Sequence, residues 1–381
     1  MYTNTTQYLR ALASDLVHGC RRTAADGTVI YTPDGTASYD GPWLRDFSYM
    51  VEYAGFAIPD QDIVNCIRYA VRHRRADGWM PDRVTTDGLA VYAAGIAAAP
   101  VGEANLDNTP FLIFTVDSLS RRMDPEAFLP LFTEWEADLE QGLFLLPIDE
   151  NGLVYNDVQK PHSPYGFTDT IGKTGTLYME SLLYWRACRM MEHMCKTYGV
   201  GNPDRFAEAA ESVERSLSLL FDPAAGAFYA ATKDCHQYDI WGMAYMLYIG
   251  FPCSADEKQA VLSFLEKNYD ACVYRGQVRH LLKGQYWERL LIDVEPETYQ
   301  NGAYWATASG WMIWCLAQQN PALAVRALED VVSCFKTDGS FECINEGYEK
   351  LPLFVVSATN VCGGFERTIS DFPEFGAGKI D

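Results

Sequence analysis

The chain has 381 residues, 48% of them hydrophobic, and its 30 Lys+Arg against 51 Asp+Glu leave a formal net charge of −21. That is ample apolar material for a large core, and the acidity, with no basic cluster, excludes nucleic acid and other polyanions as expected partners. No apolar run reaches the roughly 18 residues of a membrane span, so no membrane association is expected.

The N-terminus, MYTNTTQYLRALASDLVHGC, lacks the basic start and unbroken apolar run of a secretory leader. Eleven cysteines are scattered through apolar helical stretches with no CxxC pair, so neither a zinc site nor a disulfide framework is indicated. Reduced thiols and a cytoplasmic location are the expectation. Helical periodicity and boundary signals predict twelve helices, roughly 3–18, 43–57, 60–73, 106–122, 124–140, 175–199, 203–220, 238–250, 254–270, 302–319, 321–336 and 355–368. Asn202-Pro203, Ser254 with Glu257 three residues on, and Asn320-Pro321 mark starts. Gly363 and Gly364 are expected to interrupt the last helix.

The connections alternate. Those after the even-numbered helices are short (GFAIP, RRMDP, YGVGNP, GFPCS, QQNP), as between antiparallel neighbours. Those after the odd-numbered helices are long and hold most of the Gly, Trp, Asp and Tyr clusters. Six hairpins closing in a ring make an all-α (α/α)6 toroid, read as a single domain over 1–381. The even-numbered helices form its inner ring, because LYMESLLYWRACRMM and AYWATASGWMIWCLA are apolar nearly all round. The long loops then meet on one face, and each brings an Asp or Glu beside an aromatic or a glycine. Such a set suits a neutral polyhydroxylated ligand, whose CH faces stack on aromatic rings and whose hydroxyls bond to carboxylates.

Five of these loops carry motifs that resemble, in matching order, those of the six-hairpin glycosidases, the superfamily of glucoamylases, trehalases and neutral invertases. Trp43-Leu44-Arg45-Asp46 is similar to its W-x-R-D, where the Asp takes hydroxyls of the terminal sugar. Asp107 and Pro110 resemble its D-x-x-P element, and Asn301-Gly302-Ala303-Tyr304-Trp305, preceded by Gln300, its N-G-x-x-W sugar-site element. Gly166-Phe167-Thr168-Asp169 followed by Gly175-Thr176 looks like the motif of the general acid. Gly339-Ser340-Phe341-Glu342 looks like that of the general base, while Glu346, in a Glu-x-Tyr setting, also resembles the trehalase base motif. The resemblance implies an exo-acting, inverting glycoside hydrolase on a small carbohydrate, without cofactor.

The residues themselves leave choices open. Between Phe167 and Ile171, Asp169 has an apolar setting that raises a carboxyl pKa and suits an acid, yet an aspartate there also caps a helix. Either Glu342 or Glu346 can serve as base. Arg45 and Asp46 either form a structural salt bridge or face a polar cavity in which Arg45 orients Asp46. Trp79, Trp241, Trp287 and Trp305 are platform or core, Asp239 is a ligand contact or an N-cap, and Asp82 and Arg83 are rim candidates. His162 and His280 are lone loop histidines, so no metal is expected. Rival readings are a phosphorylase, which needs donors for phosphate, an epimerase, which wants paired histidines, and a catalytically inactive sugar-binding protein.

Overall fold

A computed structural model describes residues 2–96 and 98–376. Among them lie twelve long helices: α1 (Tyr2–Gly19), α2 (Leu44–Ala54), α3 (Asp60–Arg72), α4 (Asn108–Ser120), α5 (Pro125–Leu143), α6 (Tyr178–Tyr198), α7 (Pro203–Ser216), α8 (Ile240–Tyr248), α9 (Ala255–Lys267), α10 (Ser309–Gln319), α11 (Pro321–Thr337) and α12 (Val355–Asp371). The even-numbered helices pack α2 on α4, α4 on α6, α6 on α8, α8 on α10 and α10 on α12, and α12 returns to α2, which closes the inner ring. The odd-numbered helices pack outside it.

Burial follows this position. All nine residues of α8 are buried, as in a helix covered on both sides, whereas in α7 only Phe206, Ala210 and Val213 are, a single stripe at i, i+4, i+7. The boundary signals act as read at Ser254, which forms a capping box with Glu257. Asn320 likewise accepts from the Leu323 amide ahead of Pro321.

Three expectations are corrected. The glycine pair does not interrupt α12: a Cβ on Gly364 would lie 2.5 Å from the Gly310 Cα, and one on Gly363 would lie 2.4 Å from the Tyr53 ring. At the two glycines α12 packs directly against α10 and α2. The fifth inner helix starts at Ser309, not 302, because Tyr304 and Trp305 commit their backbone groups to Ile344 and Val278. The third starts at Tyr178, not 175, since Gly175 and Thr176 pair with Asn156 and Tyr155. The strands among the described residues form seven two-stranded antiparallel ribbons, all within the long loops, so the architecture is helical with small ribbons at one end.

Candidate active site

A cavity of about 380 Å³ opens at the N-terminal ends of the inner helices. Five of the six long loops line it, with Tyr39 and Trp43 from the first, Arg83 and Gly95 from the second, and Phe167 and Asp169 from the third. The fifth adds Asp293 and Tyr299, the sixth Glu342 and Phe354, and Arg45 and Asp46 come from the first turn of α2. The loop before α8 is set back. There Asp239 accepts from the Gly242 amide as an N-cap, and Trp241 packs beneath Phe167 with ring centroids 5.9 Å apart.

Arg45 and Asp46 do not pair with each other, which corrects the idea that one orients the other; adjacent helical residues point in different directions. Arg45 Nε donates to Asp107 at 3.0 Å, and its guanidinium also binds Asp82. All three side chains are buried, and the arginine, although it lines the cavity, is held by two carboxylates. Asp107 also accepts the Gly166 amide at 2.7 Å, which ties this network to the loop of Asp169. Gly166 must be glycine, because a Cβ there would stand 1.6 Å from Arg45 Nε. Asp46, by contrast, receives no hydrogen bond from another side chain among the described residues. Burial, with the Glu342 and Asp82 charges nearby, pushes its pKa well up.

Asp169 follows a short 3₁₀ turn, Gly166–Thr168, and no helix begins at Thr170, so it is not an N-cap. Burial, opposed by Arg45 and reinforced by the Asp82 and Asp107 charges, pushes its carboxyl up to about 7. Gln300 Nε2 donates to Asp169 Oδ1 at 2.8 Å, and Gln300 Oε1 accepts the Thr170 amide and hydroxyl. Gln300 therefore aims the carboxyl from outside the cavity.

Glu342 lies on the first strand of the ribbon 341–345 and 348–352. Its Oε1 accepts from the Tyr39 hydroxyl at 2.6 Å and its Oε2 from Lys350 Nζ at 2.5 Å. Lys350 also sits 3.5 Å from the centroid of the Tyr299 ring. Tyr299 holds φ +39, a conformation that costs a non-glycine residue roughly 1–3 kcal/mol. Glu346, at the exposed turn of the same ribbon, is outside the cavity, which corrects its candidacy as base.

The remaining candidates lie behind the lining. Trp79 stacks on His162 at 5.5 Å, Trp241 on His280 at 4.0 Å, and Trp287 donates to the Gln300 carbonyl. Asn301 bridges the Trp287 amide and the Val294 carbonyl, Tyr304 packs with Cys334 and Ile344, and Trp305 donates to the Tyr299 carbonyl. Trp287, Asn301 and Trp305 build the loop that presents Tyr299, and none of the four tryptophans named here lines the cavity. The two histidines sit in separate stacks, and burial drives His280 well below its ordinary pKa. Tyr39, Tyr299, Phe354 and Lys350 were not singled out from the sequence. A tyrosine in SYDGP or ETYQN carries no local mark that it will reach a cavity.

No protein-family model and no curated protein sequence matches the chain. Solved structures do. A GH63 mannosylglycerate hydrolase from Thermus thermophilus, in complex with glucose, superposes with a TM-score of 0.68 at 15% identity over 94% of this chain and 100% of that one. A rhamnosidase from Klebsiella oxytoca with rhamnose bound gives 0.63 at 12% over 95% and 64%. A GH78 rhamnosidase of Bacillus sp. GL1 gives 0.60 at 13% over 96% and 35%. The chain has the six-hairpin (α/α)6 fold of these glycoside hydrolases.

Proposed function

We propose that the ring is one catalytic unit, an exo-acting glycoside hydrolase that inverts the anomeric carbon. The observation that carries this reading is the contrast between two carboxyl groups lining one cavity. Asp169, with its pKa at about 7, keeps a proton to give to the glycosidic oxygen. Glu342, in an ion pair with Lys350 and bonded to Tyr39, accepts a proton from water. The two come from the third and sixth loops of the ring, which suits a water molecule standing between base and sugar.

Asp46, with no side-chain donor on its carboxyl among the described residues, takes hydroxyls of the terminal sugar, while Trp43, Tyr39 and Tyr299 supply aromatic faces and edges around it. A cavity that ends on the inner ring accepts one chain end, hence exo action on a small glycoside. All eleven cysteines are free, which favours a reducing compartment such as the cytoplasm. Among the described residues no helix is long and apolar enough to cross a membrane.

Incubation with a panel of natural and nitrophenyl glycosides tests the reading, with proton NMR of the first-formed product. A product of opposite anomeric configuration is expected; retention removes the inverting mechanism, and no release of sugar from any member removes the hydrolase.

A further inference from the structure

The charges around the cavity restrict the leaving group. Three cations border it, and each is already matched. Arg45 is held by Asp82 and Asp107. Arg83 is held by Asp82 at 2.9 Å and Asp40 at 3.2 Å, with its guanidinium 4.4 Å from the centroid of the Trp43 ring and one nitrogen on the Gly95 carbonyl. Lys350 is held by Glu342 and covered by the Tyr299 ring.

Against them stand Asp40, Asp82, Asp107 and Glu342 as partners, and Asp46, Asp169 and Asp293 facing the cavity. Even with Asp46 and Asp169 both protonated, the balance stays negative. No cation at the cavity is free among the described residues.

Asp293 is the most telling of the group. It lies in the lining stretch Ile292, Asp293 and Val294, is exposed, and forms no ion pair among the described residues. The sugar-binding carboxyl groups are buried, so the exposed Asp293 marks the mouth, where a leaving group sits before it departs.

We infer that the cavity takes glycosides whose leaving group is uncharged or cationic, and that Asp293 at its mouth selects against anionic leaving groups. This rests on the hydrolase reading above and specifies its substrate class. An anion would enter a negative field in which every bordering cation is already ion-paired, which penalises both encounter and binding. An ammonium would find one carboxylate waiting.

The test uses three leaving groups on each sugar of a panel: glycerol, glycerate and 3-aminopropane-1,2-diol, which differ mainly in charge. With the intact protein at low salt, kcat/KM for the glycerol glycoside should exceed that for the glycerate glycoside by about tenfold or more, equivalent to about 1.4 kcal/mol. The amino compound should match or exceed glycerol. The gap should narrow in 0.5 M salt, and Asp293→Asn should shrink the neutral-to-anionic ratio by about threefold. Equal or better use of the glycerate glycoside overturns the inference while leaving the hydrolase intact. An unchanged ratio in Asp293→Asn overturns the role of that residue, and turnover of no glycoside overturns both readings.

Discussion

The two ends of the ring are built from the same charged residue types, placed in opposite order. At the loop-rich end, carboxyl groups face the cavity and Arg45 and Arg83 are fastened to carboxylates. At the plain end a second cavity, of about 290 Å³, is faced by Arg121, Arg186, Arg189 and Arg367, and most of their partners, Glu52, Glu192, Glu214 and Asp371, lie outside the lining. Helix polarity accounts for the inversion. All inner helices run the same way, so their N-terminal amides gather at the first cavity and their C-terminal carbonyls at the second. The first favours negative charge and the second positive, by roughly 0.3–1 kcal/mol per charge. The loop-rich end therefore offers a ready environment for carboxylates, and the loops only have to aim them.

The comparison can be broken at either end, and the loop-rich end should respond most. Glu342→Gln is expected to lower kcat by about 10³-fold on every substrate, because each needs the water activated. Asp169→Asn should cost as much on natural glycosides but little on nitrophenyl glycosides, which leave without protonation. Equal losses on both kinds would reassign the acid.

Next in size is the fastened arginine. Arg45→Met leaves Asp107 buried without its cation and Asp82 with Arg83 alone, and should destabilise by about 3–5 kcal/mol in urea unfolding. Arg189→Met at the plain end, where the arginine is 31% exposed, should cost about 1 kcal/mol or less. Similar values would mean that the two ends do not differ in burial of charge.

Asp46→Asn should weaken kcat/KM by about 10–100-fold, the loss of one or two hydrogen bonds to sugar hydroxyls, without lowering Tm. A lower Tm with normal kinetics would make Asp46 structural.

The smallest effects concern pH. Asp169 in the native state holds its proton up to about 7, above the ordinary value of 3.8. Activity should therefore fall as pH rises through about 7. Stability moves the same way: the native carboxyl binds its proton more tightly than the unfolded one, so stability declines from about pH 4 to beyond 7. Asp169→Asn removes that penalty, and its Tm relative to the parent should be higher at pH 8 than at pH 5. Gln300→Met removes a donor that favours the ionised form, so the alkaline limb should shift upward. A limb that stays put would show that Gln300 does not touch the titrating group.

Much of this was legible in the sequence, for identifiable reasons. The alternation of short and long connections and the all-round apolarity of the even-numbered helices follow from local pattern, and they sufficed to order the ring. Trp43, Arg45, Asp46, Asp169 and Glu342 could be singled out because each sits beside an inner-helix start or in a glycine-marked turn. What could not be read were pairings between loops. That Arg45 binds Asp82 and Asp107 rather than its neighbour depends on two other loops arriving beside it. Glu342 and Glu346 are four residues apart in similar company, and only the ribbon decides that Glu342 is buried beneath Tyr39 and Lys350 while Glu346 lies at its exposed turn. The tryptophans went to the core for the same kind of reason: an aromatic ring satisfies a cavity or a core equally well until its neighbours are known. Sequence by itself determined which segments become helices, in what order, and which faces they bury, since those preferences act within one or two turns of the chain. Which carboxylate meets which cation, and so which groups remain open to a sugar, was decided only by the tertiary structure, because a charge pairs with whatever partner space brings within a few ångströms.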